Sequence, residues 1–142
     1  MLFEQSIEIN ATQQRVWDVV SNLEAWQRTV TTIEDLEILT PPPVDTGSRV
    51  RLKQFKLPEG FWTVTEWTPP SYFEWQQKTS GVTSVAGHRV EALGPDRARL
   101  LLTLDMRGPM IPIIGLFYKK LVRDYMQREA EGMRRAAELS SS

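Results

Sequence analysis

The chain has 142 residues, no cysteine, and a near-balanced charge of 17 basic against 18 acidic side chains. That length suits one domain with a sizeable core. The missing cysteines exclude disulfides, thiolate metal sites and thiol nucleophiles, and the balanced charge with no basic stripe argues against a nucleic-acid partner.

Leu2 to Ile9 alternates, with Phe3, Gln5, Ile7 and Ile9 on one face and Glu4, Ser6 and Glu8 on the other. This predicts a half-buried strand. Asn10 and Thr12 are N-cap residues for a helix from about Thr12 to Ser21, with Val16, Trp17, Val19 and Val20 as its apolar face. Asn22 is placed to cap a second short helix holding Leu23, Ala25 and Trp26.

From Ile33 to Arg107 the pattern predicts consecutive strands. They run Ile33 to Thr40, Ser48 to Phe55, Phe61 to Trp67, Tyr72 to Thr79, Val82 to Leu93 and Ala98 to Arg107. The breaks between them are turn formers: Pro41-Pro42-Pro43 with Asp45-Thr46-Gly47, Pro58-Glu59-Gly60, Pro69-Pro70, Gly81 and Gly94-Pro95-Asp96. Gly108 and Pro109 end the last strand.

The closing stretch repeats apolar residues at helical spacing: Ile114, Phe117, Tyr118, Leu121, Val122, Tyr125, Met126, Met133, Ala136 and Ala137. Pro112 suits a first helical turn. Asp124 with Arg128 and Glu131 with Arg135 stand in the favourable four-residue order. A helix from about Pro112 to Leu139 is roughly 40 Å long and covers a broad apolar sheet face. The expected unit is 1–139, with a frayed tail at Ser140-Ser141-Ser142. The order is α+β: strand, two short helices, six strands, long helix. Seven strongly twisted strands curl around that helix and leave space between.

In that order the chain resembles the START-like, or SRPBCC, superfamily, which includes the birch pollen allergens and the polyketide cyclase/dehydratase family. The matching residues are Ile7-Glu8-Ile9-Asn10-Ala11, Arg15 to Val20, Asn22-Leu23-Glu24-Ala25-Trp26, Thr46 to Val50, Trp62 to Pro70, Phe73-Glu74-Trp75 and the terminal helix. The resemblance implies a helix-grip fold and a cavity that takes small hydrophobic or amphipathic molecules, lipids included. Fold alone implies no reaction.

His88 is the only histidine. It shares strand parity with Ala86, Val90 and Ala92, so it is expected to face the grip, either as a general acid/base and ligand anchor or as a hydrogen-bonded core histidine. Trp26, Trp62, Trp67 and Trp75 are candidate pocket walls, with core packing as the alternative, whereas Trp17 reads as core. Trp67 has the parity of Thr63 and Thr65, which leaves its facing open. Tyr118 and Tyr125, seven residues apart, lie on nearly one side of the helix. Arg89, Arg99 and Arg107 read as solvated sheet-face residues, with an acidic ligand as the alternative partner. Gly115 and Gly132 interrupt the helix, as marks of close backbone approach or of tolerance.

The expected ligand contacts are Trp26, Trp75, His88, Phe117, Tyr118, Leu121 and Tyr125, with His88 the candidate catalytic residue and no metal or cofactor. Three readings follow. The chain is a small-molecule binder, a cyclase/dehydratase-type enzyme using the same cavity, or a protein-interaction module. With no signal-peptide pattern at Met1-Leu2-Phe3-Glu4 and no apolar run long enough to span a bilayer, a cytoplasmic protein without stable membrane insertion is expected. Met110 to Phe117 is expected to dock at the sheet end, or to form an apolar entrance for ligand or lipid.

Overall fold

A computed structural model of the chain describes residues 1–139; the serine tail read at 140–142 lies outside them. The fold is the expected helix grip. One antiparallel seven-stranded sheet has the order β1-β7-β6-β5-β4-β3-β2. Its strands are β1 (Leu2–Ile9), β2 (Ile33–Ile38), β3 (Arg49–Gln54), β4 (Gly60–Thr68), β5 (Tyr72–Thr79), β6 (Val82–Gly94) and β7 (Arg97–Arg107). Strands β2 to β7 form a meander, and β1 adds to its far edge by pairing Leu2 with Asp105 through Ile9 with Ala98. Helices α1 (Gln13–Ser21) and α2 (Trp26–Thr29), joined by a 3-10 turn at Leu23–Ala25, therefore connect the two sheet edges.

Thr12 caps α1 by accepting from the Arg15 backbone N–H at 3.0 Å. Asn22 stands at the expected cap position of the next turn but makes no side-chain cap bond. Helix α3 (Ile111–Leu139) closes the concave face. Asp124 and Arg128 pair at 3.1 Å as the spacing predicts, whereas Glu131 reaches Arg134 at 2.7 Å rather than Arg135.

The packed core lies at one end of the grip. There Val16, Trp17 and Val20 of α1, Trp26 of α2, Val90 and Leu100 of the sheet, and Ala130, Met133 and Ala137 of α3 are buried together. Gly132 allows the closest approach: a Cβ at this position would overlap the Thr29 carbonyl oxygen. Between residues 114–129 of α3 and the strands from β3 to β7 lies the pocket described below.

A β-bulge resolves the facing of Trp67. The register of β4 against β5 shifts between Val64 and Glu66. One extra residue reverses side-chain parity, so Trp67 returns to the inner face beside Trp62 and Val64. It packs there against Trp17 and Phe73, with ring centroids 5.5 Å and 5.2 Å away. The outer face carries charge ladders, such as Arg51 on Asp35 at 2.7 Å and on Glu37 at 3.2 Å. Arg99 and Arg107 pair with carboxylates of this kind, and Arg89 lies over the Tyr72 ring at 4.3 Å.

Candidate functional site: a tryptophan-walled pocket

A half-open pocket of about 420 Å³ separates the sheet from the first half of α3. Trp26 closes its deep end, held by an indole N–H that donates to the Val20 carbonyl at 2.9 Å. Trp62 and Trp75, from the adjacent strands β4 and β5, form one wall with centroids 5.6 Å apart, and Trp26 meets Trp75 edge-on at 5.1 Å. Val82, Ala86, Leu102 and Leu104 supply the sheet floor, and Ile114, Tyr118, Val122, Tyr125, Met126 and Glu129 the helix roof. Gln54, Gln77, Thr79, Ser84 and Thr103 add uncharged polar groups.

His88 sits at the deep end and is only 2% exposed. It is the cross-strand partner of Phe73, and the two rings stack at 4.0 Å and 8°. Its Nδ1 lies 3.3 Å from the Phe73 carbonyl oxygen. A carbonyl can only accept, which assigns the proton to Nδ1 and leaves Nε2 with a lone pair. Burial holds the pKa of the imidazole down at about 3, against a smaller upward pull from the Phe73 hydrogen bond.

Across from Nε2, at 3.7 Å, is a carboxylate oxygen of Glu129. The side chain keeps 18% exposure, and it lines the pocket. Burial raises its pKa to about 7. At neutral pH the contact therefore joins a neutral imidazole to a carboxyl group that is about half protonated, and is not an ion pair. The corner holds an acceptor nitrogen beside a group that can give or take a proton.

The sequence-predicted positions divide. Trp26, Trp75, His88, Tyr118 and Tyr125 line the pocket. Phe117 does not, being 75% exposed, and Leu121 is half-buried outside the lining. The reason is angular. At about 100° per residue, Leu121 and Phe117 stand about 60° and 100° around the helix from Tyr118, while Val122, Tyr125 and Glu129 stay within about 40° of it. Tyr125 has a second role, donating its hydroxyl to the Phe55 carbonyl and so tying α3 to the β3–β4 loop. Glu129 was not among the predicted residues. The available signal was a lone carboxylate one turn after Tyr125, on the stripe of Tyr118 and Val122.

Met110 to Phe117 behaves in two ways. Ile111 and Gly115 are buried, and Ile114 faces the pocket. Ile113, Leu116 and Phe117 are exposed on the outside of the same turns, Leu116 at 80%. Among the described residues no group of three or more His, Cys, Asp or Glu could hold a metal ion, and no helix is long and apolar enough to cross a membrane.

Residues 2–138 match the sequence family described as polyketide cyclase / dehydrase and lipid transport. The chain belongs to this family. No curated protein matches the sequence of this family member. Similar solved structures include a START superfamily protein from Mycobacterium smegmatis, at TM-score 0.77 and 20% identity over 97% of both chains. A second is the Zhui aromatase/cyclase of a Streptomyces species, at TM-score 0.71 and 18% identity over 96% of this chain and 90% of that one. A third is the di-domain ARO/CYC BexL, at TM-score 0.79 and 16% identity, covering 100% of this chain and 48% of that one. The family member thus spans about half the length of the di-domain protein. At these identities the likeness is one of fold.

Proposed function

We propose that this protein binds a small hydrophobic or amphipathic molecule in the pocket between sheet and α3. The observation that carries this reading is the pocket itself: about 420 Å³, walled by Trp26, Trp62 and Trp75, with a few uncharged polar groups and the His88–Glu129 corner in its lining. Such a site holds an apolar body by area and orients it by one or two polar contacts. The exposed Ile113, Leu116 and Phe117, on the outer side of the turns whose Ile114 and Tyr118 line the pocket, suit a ligand that arrives from an apolar phase. The cysteine-free chain fits a cytoplasmic setting. Native mass spectrometry of freshly purified protein tests the binding reading. A retained small molecule, lost on Trp75→Ala, is expected, while protein that takes up no apolar probe would count against it.

The second reading is a cyclase/dehydratase-type enzyme, favoured by the juxtaposition of His88 and Glu129. A neutral imidazole and a carboxyl group of raised pKa suit proton removal and return during enolisation or loss of water. In that case His88→Gln lowers turnover roughly 100-fold while binding survives. In a simple binder the same change shifts affinity by only about 1 kcal/mol.

A further inference from the structure

The polar corner also specifies what kind of head group the ligand carries. Nε2 of His88 is an acceptor, because Nδ1 gives its hydrogen to Phe73. The Glu129 oxygen 3.7 Å away is an acceptor when ionised. That separation is too long for a hydrogen bond between them. Among the described residues no other group hydrogen-bonds either atom. Two convergent acceptors call for a head group with at least two hydrogens to give. A hydroxyl has one, a carboxylate has none, and a primary ammonium has three.

The charge around the corner points the same way. The titratable side chains lining the pocket are His88 from β6 and Tyr118, Tyr125 and Glu129 from α3. Strands β3, β4, β5 and β7 and helix α2 contribute none, and among the described residues no lysine or arginine lines the space. An anionic ligand would therefore enter an apolar site with no counter-charge and with a carboxyl group facing it, a costly arrangement. A cation meets a latent anion instead. Trp26 and Trp75 line the same pocket with rings 5.4 Å and 5.8 Å from the His88 ring, so aromatic side chains stand close to the same corner.

We propose that the pocket selects hydrophobic primary amines, with the ammonium bridging His88 Nε2 and the Glu129 carboxylate and the apolar body lying along the tryptophan wall. This rests on the ligand-binding reading above. Binding exchanges one proton for one cation: a protonated Glu129 releases its proton to solvent as the ammonium takes its place. With its pKa at about 7, Glu129 is already about half ionised at neutrality, so the exchange costs little there and progressively more as pH falls.

Three probes of one shape test the idea by calorimetry: naphthylethylamine, naphthylethanol and naphthylacetate. The amine is expected to bind about tenfold or more tighter than the alcohol at pH 8, and the acetate weakest. Amine affinity should rise by up to about tenfold per pH unit below pH 7 and level off above it. Near pH 6, titrations in buffers of different ionisation enthalpy should show close to one proton released per amine bound, a readout that needs no variant. Glu129→Gln should remove the preference for amine while alcohol binding persists. Equal binding of amine and alcohol, tightest binding of the acetate, or amine binding without proton release would overturn the amine assignment and leave the pocket reading standing. If none of the three binds, both fall.

Discussion

His88 and Glu129 are two neutralised groups whose effects on stability oppose each other. Between pH 4.5 and 6.5, the ordinary values of the two groups, the unfolded chain carries a protonated imidazole and an ionised carboxylate. The folded chain carries both uncharged. The proton count is equal, so together they add almost no slope to stability across this window. Each variant uncovers the other partner. In Glu129→Gln only the depressed imidazole remains. Its contribution is present above pH 6.5 and is lost as pH falls toward about 3, so stability rises with pH relative to the parent. In His88→Gln only the raised carboxyl remains. Its contribution is present below pH 4.5 and is lost as pH rises through about 7, so stability falls with pH relative to the parent. Each slope approaches ~1.4 kcal/mol per pH unit. Urea midpoints of the three proteins at pH 4.5, 5.5 and 6.5 should diverge in opposite directions. Three parallel curves would mean that the corner is not neutral inside the fold.

At the scale of elements, the two glycines of α3 carry opposite expectations. By helix propensity alone, replacing either with alanine stabilises by about 1 kcal/mol. At Gly132 the new methyl group meets the Thr29 carbonyl, a backbone atom held by α2 that cannot step aside. Gly132→Ala should therefore destabilise, by about 1–3 kcal/mol, as overpacked sites do. At Gly115 the nearest atoms are the end of the Met1 side chain, which can rotate away. Gly115→Ala should be neutral or slightly stabilising. Chemical denaturation of the pair checks both signs. The β4 bulge belongs to the same scale, since one residue inserted into a ladder decides whether Trp67 joins the core or the solvent face.

For the whole molecule, α3 is the longest cover of the concave face, with Trp17 of α1 and Trp26 of α2 covering one end of it. Ending the chain before Pro109 would expose Val90, Leu100 and Leu102 together with the pocket walls, at ~25 cal/mol per Å² of apolar surface returned to water. No cooperative thermal transition is expected from that fragment. A cooperative melt would show that the sheet and its two short helices suffice. The sequence by itself determined the element order, the strand ends to within about two residues, the grip and the inward aim of His88. Period, turn formers and parity are local properties, and a chain carries them wherever it goes. Only the tertiary structure decided the rest. It set how far α3 stands from the sheet, and thus whether the space is hollow. It also decided which flank of a broad apolar stripe faces that space, leaving Phe117 in solvent and bringing Glu129 in. Glu129 meets His88 of β6 and shares the pocket with Trp26 of α2, about a hundred residues away in the chain, and no local pattern records a distance between segments so far apart.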